Sequence, residues 1–193
     1  PITEAHPLQG QSPYSASKIG ADKLCESFAA SFATPVVVLR PFNTYGPRQS
    51  MRAVIPTVLR QLLEPGATVR VGTLDTRRDF TFVSDTVAGM VAAATAELVP
   101  GETVQLGTGT CHSVADVIEA AGRALGVHPE VCTEAIRLRP EASEVQVLLS
   151  DPANARRRLG WDPAVSLEEG LRRTAAWLEK WLDRYPDPER YHR

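Results

Sequence analysis

Tyr14 and Lys18 stand four residues apart in the string Ser12-Pro13-Tyr14-Ser15-Ala16-Ser17-Lys18. A phenol is a poor base at neutral pH unless a cation and the positive end of a helix stabilise its anion. This string offers both. Ser12 suits an N-cap and Pro13 the first helical position, which puts Tyr14 in the first turn and Lys18 on the same face. The chemistry implied is that of a tyrosine acting as a base. Tyr-x-x-x-Lys is a short motif that recurs by chance, so its neighbours must decide whether it acts.

Four further clusters carry groups able to bind or react. Asn43 and Arg48 flank Tyr45-Gly46-Pro47 in a turn-rich loop from Pro41 to Arg52, and present an amide and a guanidinium suited to phosphate or sugar hydroxyls. Arg77-Arg78-Asp79 precedes an apolar run, and adjacent arginines beside an acid read as a surface ion pair. Arg137, Arg139, Glu141 and Glu144 form a mixed-charge loop with the pattern of a solvated surface. Gly107-Thr108-Gly109-Thr110 follows a strand-like run, but His112 stands where a third glycine would complete a dinucleotide fingerprint, so it reads as a tight turn before a helix cap. Cys25, Cys111 and Cys132 lack a Cys-x-x-Cys pair and fit a reducing compartment. His6, His112, His128 and His192 are scattered, and no metal site is expected.

The elements that position these groups alternate between helix and strand. A helix is expected from Pro13 to about Phe32, followed by a short strand at Val36–Leu39 buried on both faces, whose carboxyl end feeds the Pro41–Arg52 loop. Next come a helix from Ala53 to Leu63 with Pro56 tolerated early, strands at Val69–Val71 and Phe80–Val83, and a helix capped by Ser84 or Asp85 running through Ala96. Thr103–Leu106 reads as a strand. A helix starting at Ser113 carries Val114, Val117, Ile118, Ala121 and Leu125 at helical spacing and closes at Gly126. A weak strand after Pro129, the apolar Val145–Leu149 run, and helices near Pro152–Leu159 and Ser166–Tyr185 complete the order. Ser166 and Glu169 form a capping box for the last helix, and Trp161, Trp177 and Trp181 have the spacing of packing anchors.

With 193 residues, 43% apolar composition and a net charge of −2, the chain has the balance of a soluble globular protein and not of a general nucleic-acid binder. No run reaches transmembrane length, so the cytoplasm is the expected compartment. The opening at Pro1 runs through a polar segment straight into a helix, as though starting mid-protein.

Taken in order, Ser12 to Lys18, Arg40-Pro41-Phe42-Asn43-Thr44-Tyr45-Gly46-Pro47-Arg48, Arg78-Asp79-Phe80-Thr81-Phe82-Val83 and Leu159-Gly160-Trp161-Asp162-Pro163 resemble the extended short-chain dehydrogenase/reductases, specifically the NAD-dependent nucleotide-sugar epimerases and dehydratases. Pro1-Ile2-Thr3-Glu4 with the run from Arg139 to Val145 looks most like their 4,6-dehydratases. The resemblance implies an α/β fold: the C-terminal part of a Rossmann-like doubly wound parallel sheet plus a small α/β substrate-binding cap. It divides the chain into 1–52, with the Tyr-x-x-x-Lys helix, and 53–193, mainly cap, with 79–112 partly returning to the sheet.

The same resemblance implies roles. Tyr14 takes the C4 hydroxyl proton while hydride passes to the NAD nicotinamide, and Lys18 stabilises the phenolate and holds the nicotinamide ribose. Pro41 lines the nicotinamide pocket; Asn43 and Arg78 grip the substrate diphosphate, Arg139 is a further phosphate ligand and Glu144 a ligand of the nucleotide ribose. The Arg139–Glu144 spacing is longer than in the GDP-mannose dehydratase pattern. The family's glycine-rich NAD loop, its catalytic Ser or Thr and the acid pair for water loss are not in this sequence, and Thr3 and Glu4 do not replace them. The chain is therefore expected to be the C-terminal half of a 4,6-dehydratase, or of a C4-epimerase, homodimeric at full length, taking a nucleotide-sugar and neither nucleic acid nor membrane. By itself it is expected to be inactive, a weakly binding or packing fragment with an uncovered apolar face.

Overall fold

The computed structural model describes residues 1–64, 66, 68–137 and 145–185. The first helix, α1, spans Pro13–Phe32. Ser12 caps it by accepting from the Ser15 N–H, while the Ser15 hydroxyl accepts from the Ser12 N–H, a reciprocal box built from two serines. It ends at Ala33, whose φ of 51° lies in the left-handed region.

Strand β1 is Val38–Pro41, two residues later than expected, because its register is set by its partner across the sheet. Its expected burial on both faces is also incomplete: Val38 is buried, Leu39 and Arg40 are half-buried and Pro41 is exposed. The Arg40 Nε donates to Asp22 Oδ2 at 2.6 Å, tying β1 to α1. The Pro41–Arg52 segment is not all loop, since Asn43–Tyr45 forms strand β2. The chain continues through α2 (Val54–Leu62), β3 (Thr68–Val71), β4 (Arg77–Arg78), β5 (Phe80–Phe82) and α3 (Val83–Thr95). It then forms β6 (Thr103–Leu106), β7 (His112–Ser113), α4 (Val114–Leu125), β8 (Glu130–Thr133), β9 (Val147–Leu148), α5 (Ala153–Leu159) and α6 (Leu167–Lys180).

Two helix starts differ from expectation. Phe82, and neither Ser84 nor Asp85, occupies the N-cap of α3, with no side-chain cap. Asp85 accepts instead from the Ala164 and Val165 N–H groups at 3.1 and 2.9 Å, so it tethers a distant segment. At α6 the Ser166 hydroxyl accepts from the Glu169 N–H, but the Glu169 carboxylate pairs with Arg172 and Arg173, leaving the box half made. By contrast α4 follows expectation closely: Ser113 and Asp116 form a full box and Gly126 closes it at φ 68°.

The strands pair as β1 with β6, β2 with β5 and β3 with β8, all parallel, while β4 lies between β7, antiparallel, and β9, parallel. Parallel pairs joined through helices are the mark of an α/β fold. The larger core gathers Tyr45, Phe80 and Phe82 of β2 and β5 with Leu59 of α2, Val117 of α4 and Leu171 of α6. Tyr45 meets Phe80 and Phe82 edge-on at 6.2 and 5.5 Å. A smaller core of Val104, Leu106, Ala155 and Trp161 lies under β6 and α5, where the Trp161 Nε1–H donates to the Asp85 carbonyl at 2.8 Å.

Candidate active site

The start of α1 places the expected base and its cation as the spacing requires. Tyr14 lies in the first turn, where unpaired N–H groups make the helix end positive. The Lys18 Nζ stands 5.6 Å from the centroid of the Tyr14 ring. Both side chains are exposed, Tyr14 at 72%, so the phenol is open to an incoming molecule. The Ser17 hydroxyl donates to the Tyr14 carbonyl, holding the turn that carries the pair.

Pro41 is exposed at the carboxyl end of β1, where open α/β sheets present ligands. Two residues on, Asn43 begins β2, exposed and opposite Phe80, and its N–H donates to the Asp79 carbonyl at 3.2 Å. Arg78 is half-buried in β4, opposite His112 on one side and Leu148 on the other, and its Nη1 donates to the Arg77 carbonyl at 3.0 Å. Strand pairing thus brings Asn43 and Arg78 to either side of Asp79. Among the described residues no hydrogen bond or ion pair joins Tyr14 or Lys18 to Asn43. Arg139 and Glu144 lie outside the described residues. Arg48, singled out for its guanidinium, is exposed with φ 69°, and its charge partly offsets the burial that pushes the Tyr185 phenol up.

The expectation of a surface ion pair at Arg77-Arg78-Asp79 is overturned. Arg77 pairs with Asp116 at 3.2 Å, whereas Asp79 is 0% exposed. Its Oδ1 accepts from the Thr108 N–H and hydroxyl at 2.9 and 2.7 Å, and its Oδ2 from the Gly109 N–H at 3.0 Å and the Ser150 N–H and hydroxyl at 3.3 and 2.5 Å. A buried carboxylate survives only when donors surround it. The Gly107–Thr110 turn supplies three of them, so its Thr108 and Gly109 amides are occupied by Asp79, and its Thr110 amide donates to the Thr108 hydroxyl. A Cβ at Gly107 would meet the Ser150 side chain, which explains glycine there.

The signal for Asp79 was period two: with Phe80 and Phe82 turned to one core, Asp79 and Thr81 share the opposite face, which is covered as well. Burial and the Asp79 charge push the nearby Cys111 thiol up, against the opposing pull of Arg77 and Arg78, and favour its protonated form. Among the described residues no cluster of His, Cys, Asp or Glu could hold a metal ion, and no helix is long and apolar enough to cross a membrane.

A mostly parallel α/β frame with polar groups at the carboxyl ends of its strands defines a class of ligand-binding α/β protein. The family model for GDP-mannose 4,6 dehydratase matches residues 1–174, and the chain belongs to that family. An uncharacterized UDP-glucose epimerase, YtcB, of Bacillus subtilis is 33% identical over 181 residues, covering 92% of this chain and 55% of that protein. A dTDP-glucose 4,6-dehydratase of Neisseria gonorrhoeae is 32% identical over 184 residues, covering 91% and 53%. Among solved structures, a UDP-glucuronic acid 4-epimerase mutant of Bacillus cereus, crystallised with a substrate analogue and NAD, superposes with a TM-score of 0.85 at 26% identity, covering 93% of this chain and 56% of that one. TunA, an NAD-dependent NDP-hexosamine 5,6-dehydratase of tunicamycin biosynthesis, gives 0.82 at 31% identity, covering 98% and 59%. The chain spans about half the length of the curated relatives it matches.

Proposed function

We propose that the full-length protein carrying this chain is an NAD-dependent nucleotide-sugar 4,6-dehydratase. The exposed Tyr14 phenol, with the Lys18 ammonium 5.6 Å from its ring centre at the positive end of α1, carries the C4-oxidation part of this reading, and the match of residues 1–174 to the GDP-mannose 4,6 dehydratase model supports the dehydratase part. Tyr14 removes the proton of the sugar C4 hydroxyl, and Lys18 stabilises the phenolate that accepts it. When bound, NAD supplies a hydride acceptor for the C4 carbon. An open phenol, an open ammonium and the exposed Pro41 at a parallel strand end fit such a group, which Lys18 would hold by the nicotinamide ribose and Pro41 would line with its backbone. Asn43 and Arg78 take the substrate diphosphate, an amide and a fork of N–H donors suited to its oxygens. Arg139 and Glu144 extend that grip to phosphate and nucleotide ribose.

Loss of the C5 proton and the C6 hydroxyl as water, followed by return of the hydride to C6 and of a proton to C5, would leave a 4-keto-6-deoxy sugar without net oxidation. The second reading, C4 epimerisation, is favoured by the similarity to UDP-glucuronate 4-epimerases. Both begin by oxidising C4, so Tyr14 and Lys18 serve either. Incubation of the full-length protein with UDP- and dTDP-hexoses separates them. A 4-keto-6-deoxy product is expected; a C4 epimer overturns dehydration. For the 193 residues by themselves the proposal is weak nucleotide-sugar binding without turnover, because hydride transfer demands a nicotinamide held against C4. A homodimer is proposed for the full-length protein.

A further inference from the structure

We propose that Asp79 is the positioning residue of the diphosphate grip, acting through Arg78 and Asn43; the inference rests on the nucleotide-sugar reading above. Arg78, Asp79 and Phe80 form one extended run that changes partners at its middle residue. Before Asp79 the run pairs with β7 and β9, and after it with β2. Asp79 is where the two sheets are joined. Its N–H donates to the Leu148 carbonyl at 2.9 Å, and its carbonyl accepts from the Asn43 N–H at 3.2 Å.

The carboxylate pins the same point from the third direction. Five donors from Thr108, Gly109 and Ser150 converge on it, and none of the five comes from its own strand. Ser150 is itself 1% exposed and follows β9, and the Gly107–Thr110 turn follows β6. Asp79 therefore locks three chain segments at the point that follows Arg78 and holds the Asn43 backbone N–H, and so fixes the two stretches of backbone that carry the Arg78 guanidinium and the Asn43 side-chain amide. A diphosphate needs a guanidinium and an amide at fixed separation, and a shift of about 1 Å in such a pair costs binding by an order of magnitude or more. In Asp79→Asn the shape is kept, but one accepting oxygen becomes an NH2 group facing donors, so the residue has to move or rotate.

The test is made on the full-length protein with UDP, dTDP and GDP as competing diphosphates, the matching nucleotide-hexose as substrate, and thermal melting as a folding check. Asp79→Asn is expected to raise KM and the inhibition constant of the free diphosphate about ten-fold while kcat changes less than about two-fold. Thr108→Val keeps the shape at residue 108 but loses the hydroxyl bond to Asp79 and the acceptor of the Thr110 N–H, and is expected to move KM the same way by a smaller factor; Thr108→Ser retains both bonds and the wild-type KM. A fall in kcat with KM unchanged overturns the inference and leaves Asp79 a purely structural group. If Asp79→Asn does not fold, the Thr108 pair decides: equal KM for Val and Ser overturns the inference. A wild type that none of the three diphosphates inhibits, and that accepts no nucleotide-hexose, overturns the nucleotide-sugar reading and this inference together. Tight wild-type binding with unchanged variants overturns this inference alone.

Discussion

In the proposed reaction one hydroxyl, at residue 14, takes the sugar proton. Tyr14→Phe keeps the ring beneath the Lys18 ammonium and removes only the proton acceptor. For the full-length protein kcat is expected to fall about 10²–10⁴-fold, the range for a positioned general base, with KM for nucleotide-sugar little changed. Steady-state kinetics check this, and a retained kcat would remove Tyr14 from the chemistry. A second tyrosine behaves in the opposite way. Tyr45 is buried, its hydroxyl donates to the Leu167 carbonyl at 3.1 Å, and burial followed by the Asp85 charge pushes its ionisation well above the usual range. The native state keeps this proton after the unfolded phenol loses its own at about pH 10, so the stability is intact below that pH and is lost as pH rises beyond it. Tyr45→Phe is expected to cost about 1 kcal/mol at neutral pH through the lost hydrogen bond, and to flatten the fall in melting temperature between about pH 9 and 11.

Elements were legible where their signals are local. Ser12-Pro13 marked the start of α1, Ser113 and Gly126 bracketed α4, and both spans match the structure. They were not legible where a distant partner decides. Asn43–Tyr45 looks like loop because three residues cannot announce a strand, and β2 exists through its pairing with β5. The start of β1 slipped for the same reason. Asp85 had the chemistry of a cap, yet the N–H groups it satisfies belong to residues 164 and 165, which no local pattern connects to it. In the candidate site, the Tyr14–Lys18 pair was read from one turn of helix, whereas Asp79 was mistaken for a surface charge because its five donors come from two remote segments. Asp85→Ala leaves two amides without their acceptor and is expected to cost about 2 kcal/mol. Denaturant unfolding should show a lower midpoint with an unchanged slope, and hydrogen exchange should quicken first at residues 164 and 165. Slow exchange there in the variant would mean that Trp161 packing alone holds the segment.

Across the whole molecule apolar surface is distributed unevenly. The core around Tyr45, Leu59 and Leu171 is closed, while α1 buries none of its 20 residues and exposes Leu24, Phe28 and Phe32, and α3 exposes Val87, Met90 and Val91. The Phe28 and Phe32 rings lie 5.5 Å apart, so they form one patch and not two isolated side chains. Patches beyond a few hundred Å² on a monomer draw partners or aggregate. The 193-residue chain expressed by itself is therefore expected to associate. Phe28→Gln with Phe32→Gln should shift its elution toward the mass of one chain, while lowering the melting temperature by less than an equally large change in the closed core. The two aromatics contribute little to folding as long as nothing covers them, and much to association as soon as a second surface does. A single-chain elution volume for the unaltered protein at about 100 μM would mean that these helices repel their own copies and await a different surface.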